Sequence, residues 1–547
     1  MTDRIGGDLV IEALSALGAR AVVGIPGQHA LGMFEALRRS TLRYLGARVE
    51  NNAAWMADGV ARASGAPAPL LLSTGPGALT ALPALMEAKC SSVPVVAVSA
   101  QVPLAGLGGG RHGYLHELAD QSDAFRQIVK HSVTVRSISQ IPSAVAEAWA
   151  IAARAPQGPV LIEIPQDVLM ARVDDMPVVS ALRREPEPPS APEEVLRLAA
   201  AVLSAAERPL VLAGGGADRA NAGELLMIVA ERLDAPVYST FSGRNAIPSD
   251  HPLHAGSWLE DIATTEHLES ADVLLVVGSG LGELSSNYHA FAPRGRVIQI
   301  DADLGVIGAN HPVIGVHSDA ASALSRIDEL LTSTSDEDRR RERLAEVARV
   351  RAEVFERLDA QRLDHERGLL EEVRDGIPSD ADTFWDMTMA AYWAWSAWDR
   401  RDGRFASAQG SGGLGFAFPA AIGAAFASGR RTVAVSGDGG AMYGIAELAS
   451  AVQHAVDVTW LIIDDAGYGI LAEYMDAAFG EATATSIHGP DFVALAESFG
   501  VPACTVEPGG IREAVSATFA QRGPRVVVVR TRLRMFAPTH LHRPARA

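Results

Sequence analysis

The chain reads as an α/β protein of three domains, each built on a mostly parallel, doubly wound sheet. Three observations predict this. At 547 residues the chain is too long for one hydrophobic core, and roughly 100–200 residues per domain implies about three. Short apolar runs recur, each ending in a turn rich in glycine and followed by a stretch of helical period, which is the pattern of parallel strands covered by helices on both faces. A proline-rich segment and a charged segment then cut the chain into three blocks.

The first block covers residues 1–178. Asp8 to Leu17 has the period of an amphipathic helix. Ala21-Val22-Val23-Gly24-Ile25-Pro26-Gly27 is a strand running into a turn, and Leu70 to Thr74 and Val93 to Val98 are buried strands. Arg184-Glu185-Pro186-Glu187-Pro188-Pro189-Ser190-Ala191-Pro192 is too rich in proline for helix or sheet and marks a linker. The second block, residues 193–333, has strands entering glycine turns at Pro209 to Gly216 and Val273 to Gly280. Residues 334–370 carry opposite charges at helical spacing and are expected to form a solvated connecting helix. The third block, residues 371–547, echoes the first. Thr432 to Gly440, a helical stretch through His454, and Val458 to Ile463 repeat the strand, glycine turn, helix, strand order of residues 69–98.

Composition narrows the function. Lys plus Arg is 47 and Asp plus Glu is 66, a net charge of −19. Such a field repels nucleic acid, so no nucleic-acid partner is expected. The two cysteines, Cys90 and Cys504, form neither a disulfide framework nor a zinc spacing. A reduced cytoplasm is the expected compartment. The first residues lack the build of a signal peptide, and no apolar run is long enough to span a membrane.

The chemistry gathers at Gly437-Asp438-Gly439-Gly440, where a buried strand gives way to a helix. Ligands of doubly wound sheets bind at the carboxyl ends of strands. Glycine lets backbone approach a phosphate, and a helix N-terminus favours the anion. Asp438 would repel a bare phosphate there but would serve a cation placed between them. Mg²⁺ takes one or two carboxylates, phosphate oxygens and waters. One helix and one strand later, Asp464-Asp465-Ala466-Gly467-Tyr468-Gly469 ends the neighbouring strand. Adjacent parallel strands would bring Asp465 to the same ion. Alone, a Gly-Asp-Gly would be a capped tight turn; the second acidic turn at this spacing makes it specific.

These residues resemble the thiamine-diphosphate enzymes of the acetolactate synthase and 2-oxo acid decarboxylase type, whose cofactor motif is Gly-Asp-Gly followed roughly 25 residues later by Asn-Asn. Here Asp464-Asp465 stands for Asn-Asn. The resemblance covers the whole chain. It implies Asp438, Asp465 and the Gly467 carbonyl as Mg²⁺ ligands, with Gly437, Gly439, Gly440 and Tyr468 at the diphosphate. Val49-Glu50-Asn51-Asn52 looks like the segment around the family's catalytic glutamate, with Val49 where His is usual. Glu50 is thereby implied to hydrogen-bond the aminopyrimidine ring and share the proton that activates the cofactor. Ser411-Gly412-Gly413-Leu414-Gly415 is similar to the segment that supports the bent cofactor. Leu414 would wedge between its rings and the Gly412 carbonyl would accept from its amine. Thr388 and Met389 sit where the family contacts diphosphate and pyrimidine. The resemblance also implies a pyrimidine-binding first domain, a central domain and a diphosphate-binding third domain.

On the substrate side, Gln28 lies in a loop similar to one that points into the active site. His116 lies in the segment matching the Phe-Gln-Glu of acetolactate synthases and the His pair of some decarboxylases. His116 is the candidate for proton transfer or carboxylate orientation, Gln28 for substrate contact, and Tyr474 for the pocket wall. Ser73 stands where aryl-oxo acid decarboxylases carry a catalytic His, which argues against that subgroup. Gly278-Ser279-Gly280-Leu281-Gly282-Glu283 replaces the Arg-Phe-Asp-Asp stretch of FAD-binding acetolactate synthases. The glycines are a weak dinucleotide signal, so FAD is not expected, and no clear basic cluster marks an ADP site. The expected reaction is decarboxylation of a 2-oxo acid with carboligation. The alternatives are simple decarboxylation to an aldehyde, a 2-hydroxyacyl-CoA lyase, and a cofactor-binding inactive regulatory subunit. A homodimer or homotetramer with its site at the interface is implied.

Overall fold

The computed structural model describes residues 4–174, 176–180, 187–332 and 335–537. Residues 1–3 and the start of the predicted linker, 184–186, lie outside them. Residues 187–192 are neither helix nor strand.

Among the described residues, eighteen strands form three six-stranded sheets, and every pairing between these strands is parallel. The first sheet holds β1 Ala21–Gly24, β2 Arg43–Gly46, β3 Ala68–Leu72, β4 Val95–Gln101, β5 Ser132–Thr134 and β6 Val160–Pro165, in the order β2-β1-β3-β4-β6-β5. The second holds β7 Pro209–Ala213, β8 Val237–Ser239, β9 His254–Gly256, β10 Val273–Val277, β11 Arg296–Asp301 and β12 Ile314–His317, in the order β12-β11-β10-β7-β8-β9. The third holds β13 Thr383–Trp385, β14 Phe405–Ser407, β15 Thr432–Gly437, β16 Val458–Asp464, β17 Ala503–Val506 and β18 Arg525–Arg530, in the order β14-β13-β15-β16-β18-β17.

First and third sheets therefore share one topology, which is the structural form of the echo between blocks one and three. In each, the chain winds outward in opposite directions from the central pair, β1/β3 and β13/β15. Crevices at such switch points are where open α/β sheets take ligands. The central strands are buried along their length because helices cover both faces.

The two similar domains pack face to face through the helices Glu50–Ser64 and Ala417–Ser428. Two glycines permit the approach. A Cβ on Gly59 would strike the Ala420 carbonyl, and one on Gly423 would strike the Met56 carbonyl. One apolar core runs through both domains, with Trp55, Met56, Phe416, Phe418 and Trp460 in it. Two buried carboxylates repeat the reciprocity. Glu447, from the third domain, accepts from the backbone N–H groups of Arg48 and Val49 and from Asn52 Nδ2 at 3.1–3.2 Å, and so holds the start of the first-domain helix. Glu87, from the first domain, accepts from Gly410 N at 2.9 Å and from Ser411, just before the third-domain helix.

The charged segment departs from its expected form. It folds into the helix Glu337–Ala360, which is more than a solvated connector, because Arg343, Val347, Val350, Val354 and Leu358 form a buried stripe. Val347, Val354 and Leu358 enter a core shared by the central and third domains. Spacings of three and four put these few apolar residues on one face, where the surrounding charges mask them from a reading of composition.

Candidate active site

The third domain opens a cavity of about 260 Å³ at the carboxyl ends of β13, β15 and β16. Three helices begin there: Met389–Ala397, Asp438–Gly444 and Gly469–Phe479. Their N-termini bring N–H groups and partial positive charge to it, the arrangement that favours a diphosphate. Thr388 caps the first of them, its hydroxyl accepting from Ala391 N at 3.4 Å. The third-domain residues singled out for cofactor and metal line this one cavity: Thr388, Met389, Gly412, Leu414, Gly437, Asp438, Gly439, Gly440, Asp465, Gly467 and Tyr468. Tyr474, the candidate for the pocket wall, is not among the lining residues.

The register of β15 on β16 pairs Gly437 with Ile463, which sets Asp438 beside Asp465. Burial and the charge of Asp465 push the Asp438 carboxyl up to about 6. Burial also raises Asp465. Asp438 is 1% exposed, and its Oδ2 has no hydrogen-bond partner among the described residues. Two carboxylates facing each other, one with a buried oxygen left unsatisfied, are what a divalent cation would complete. The residues present therefore fit Mg²⁺ and a diphosphate.

Asp386 was not selected as a site residue, yet it organises this cavity. It is fully buried, and its carboxylate accepts from Gly415 N at 2.9 Å and from Met387 N at 3.0 Å. Burial pushes it up to about 6. It ties the loop carrying Gly412 and Leu414 to the end of β13. Gly412 has φ +74°, a left-handed conformation that glycine adopts without strain. No local spacing rule marks Asp386, because the loop it ties down, through Gly415 N, lies 29 residues away in sequence.

Glu50, Gln28 and His116 do not line this cavity. They lie at the corresponding switch point of the first domain. Glu50 opens the helix after β2, and its Oε1 lies 3.5 Å from the point where a Cβ on Gly77 would stand, beside Ser73. His116, at φ +65°, packs against Gly75. Its ring centroid is 5.4 Å from that of His29, the neighbour of Gln28. His29 is a residue the sequence reading passed over. It is 4% exposed, its Nδ1 has no hydrogen-bond partner among the described residues, and burial followed by the nearness of His116 lowers its pKa. Gln28 and His116 are exposed. One chain thus presents two clusters: a carboxylate with an imidazole pair on the first domain, and on the third a cavity whose residues fit a cation and a diphosphate.

The central switch point has a cleft of about 580 Å³ toward the first domain. Gly216, Gly278 and Gly280 line it from the central domain, and Lys89, Lys130 and Arg154 from the first, with Arg219 beside them. Glu187, Asp301, Asp303 and Asp319 line the same cleft, so the basic side chains gathered between the domains are matched by as many carboxylates.

A fold of three parallel sheets, with a diphosphate cavity at the switch point of the third, defines a class of cofactor-dependent α/β enzymes. Comparison with known proteins makes it specific. The thiamine pyrophosphate enzyme N-terminal TPP binding domain matches residues 4–124, the central domain residues 196–327 and the C-terminal TPP binding domain residues 386–529. A probable 2-ketoarginine decarboxylase of Pseudomonas aeruginosa is 32% identical over 96% of this chain and 93% of its own. The acetolactate synthase isozyme 1 large subunit of Escherichia coli is 29% identical over 96% and 93%. A probable acetolactate synthase large subunit of Methanocaldococcus jannaschii is 30% identical over 95% and 90%. The chain belongs to the thiamine pyrophosphate enzyme family, in the group that contains 2-oxo acid decarboxylases and acetolactate synthases. Among the described residues no helix is long and apolar enough to cross a membrane.

Proposed function

We propose that this protein decarboxylates a 2-oxo acid with thiamine diphosphate and Mg²⁺ and releases an aldehyde. Asp438, Asp465 and the Gly467 carbonyl hold the cation. The helix starts at Met389, Asp438 and Gly469 hold the diphosphate, with Thr388, Gly437, Gly439, Gly440 and Tyr468 around it. Leu414 and the Gly412 carbonyl position the cofactor rings. When bound, thiamine diphosphate supplies a carbon nucleophile and a sink for the electrons left by the departing carboxylate. Glu50 holds a proton at the aminopyrimidine nitrogen, and Gln28 orients the substrate. His116, backed by His29, delivers a proton to the carbon that has lost CO₂.

The observation that carries aldehyde release is the His29–His116 pair. An imidazole pair on the domain that carries Glu50 could protonate the carbon that has lost CO₂, the step that gives an aldehyde in place of a new carbon–carbon bond. Carboligation stands second, favoured by the full-length match to acetolactate synthases. Glu50 and Asp438 lie on different half-sites of one chain, so a second copy is proposed to complete each site, in a homodimer or homotetramer of the cytoplasm. Met442 and Tyr443, on the helix that starts at Asp438, and Met86 of the first domain are exposed apolar side chains suited to that contact.

The test is a panel of 2-oxo acids, pyruvate and 2-ketoarginine included, with thiamine diphosphate and Mg²⁺, in which CO₂ is followed and the product identified. An aldehyde supports the proposal. Acetolactate from pyruvate moves the reading to carboligation. No CO₂ from any acid refutes both.

A further inference from the structure

Two acidic turns meet at the third-domain cavity, and the protein's own backbone fixes both. Asp438 follows β15 directly and opens the helix Asp438–Gly444. Asp465 follows β16, in a turn whose next residue, Ala466, stands at φ +53°, a left-handed conformation that strains any residue with a side chain. That turn is pinned by a neighbouring segment. Tyr468 N donates to Thr485 O at 2.8 Å, and Ile487 N donates to Ala466 O at 3.0 Å. Gly469 leaves room for the carboxylate, since a Cβ there would strike Asp465 Oδ2. Both carboxylates line the cavity.

Two carboxylates carry together the charge that one divalent cation cancels. In a partly buried site their repulsion is poorly screened. A cation between them removes that repulsion and leaves a neutral group. It also gives a contact to Asp438 Oδ2, which has no hydrogen-bond partner among the described residues and belongs to a residue 1% exposed. The other charges that act on Asp465 include Arg532 and Asp464, which are of opposite sign. None of these gains draws on a diphosphate. Without a cation between the carboxylates, a diphosphate would meet them as like charges, against the pull of the three helix starts. With a cation in place, the same helix starts act on it unopposed.

We infer that Asp438 and Asp465 take up one divalent cation on their own, ahead of the diphosphate, and that the diphosphate binds to the site so loaded. The inference rests on the cation ligands named in the decarboxylase reading above and adds the order of loading. Asp465 makes the first step independent, because an amide in its place would leave half of the cation's charge unmatched.

The experiment uses the full chain, freed of metal and cofactor by dialysis against a chelator, with Mn²⁺ as the probe and electron paramagnetic resonance to read the free ion. One firmly held Mn²⁺ per chain is expected without thiamine diphosphate. Asp438→Ala should remove it and leave only the weak uptake of the other carboxylates of this acidic chain. Asp465→Asn should weaken it by about 10- to 100-fold, since the affinity of carboxylate sites for hard cations follows the number of charged ligands. At saturating Mn²⁺ the same variant should still bind thiamine diphosphate within a few fold of wild type, as read by calorimetry. If Asp465→Asn does not fold, the wild-type titration decides. Wild type that takes up Mn²⁺ only together with thiamine diphosphate, or Asp465→Asn that binds Mn²⁺ alone as tightly as wild type, overturns the order of loading and leaves the decarboxylase reading standing. No binding of thiamine diphosphate to wild type at any Mn²⁺ concentration overturns both.

Discussion

The first and third domains share a strand order, yet their switch points do opposite work. At β13/β15 three helices start around one cavity, and two aspartates face each other with a buried oxygen unsatisfied. At β1/β3 there is one carboxylate, Glu50, and a pair of imidazoles. On the proposed function, the third domain holds charge, and the first holds and moves protons. One topology supplies the crevice; the residues on its loops decide the chemistry. The same duplication explains the interface, where each domain uses one glycine to admit the other's backbone and one buried glutamate to cap the other's chain.

Four predictions bear on this division of labour, from the largest effect to the smallest. Asp438→Ala should abolish Mg²⁺-dependent binding of thiamine diphosphate, measured by calorimetry. Tight metal-dependent binding that survives would erase the claim that the third domain is the charge-holding half. Glu50→Gln should leave that binding within a few fold and lower kcat by about 10²- to 10⁴-fold, the usual span for loss of a proton-transferring group. Normal turnover in this variant would remove Glu50 from the chemistry.

Gly423→Val tests the interface. The new side chain would collide with the Met56 carbonyl, and overpacking of this kind costs about 1–3 kcal/mol or more. Denaturant unfolding should show a clear loss, and Gly59→Val a similar one. A loss at one glycine and not at the other would show that the reciprocity is only geometric.

The smallest effect concerns Glu447. Burial raises its pKa above the ordinary 4.5. The folded state then binds a proton that the unfolded state has already released. This contribution to stability is present below about 4.5 and is lost as pH rises through the raised folded value. Glu447→Gln should be less stable than wild type but should lose less stability across that interval, as read from Tm against pH. An unchanged slope would mean that the cap does not titrate as an isolated carboxyl.

Much of the third-domain site was legible before any coordinates. Gly437 to Gly440 and Asp465 to Tyr468 are short local patterns at strand ends, and local patterns survive in a linear reading because a turn and a helix start are made by neighbours in sequence. Three parallel sheets were legible for a related reason: strands buried on both faces must be apolar throughout, as in Val273 to Val277. His29 was hidden by its bland setting next to Gln28, and its meaning arises only when the loop of residues 111–120 brings His116 to it. The stripe from Arg343 to Leu358 was concealed because charges outnumber its apolar residues.

By itself, then, the sequence determined the fold class, the family and the residues that line the third-domain cavity, all of which rest on periodicity and on motifs a few residues long. Tertiary structure decided the rest. It set Asp438 against Asp465, gathered Lys89, Lys130, Arg154 and Arg219 into one cleft and tied Asp386 to the Gly415 loop. These are pairings between residues tens to hundreds of positions apart. Their partners are chosen by how helices and sheets pack, and charge, burial and hydrogen bonding at each place follow from that packing.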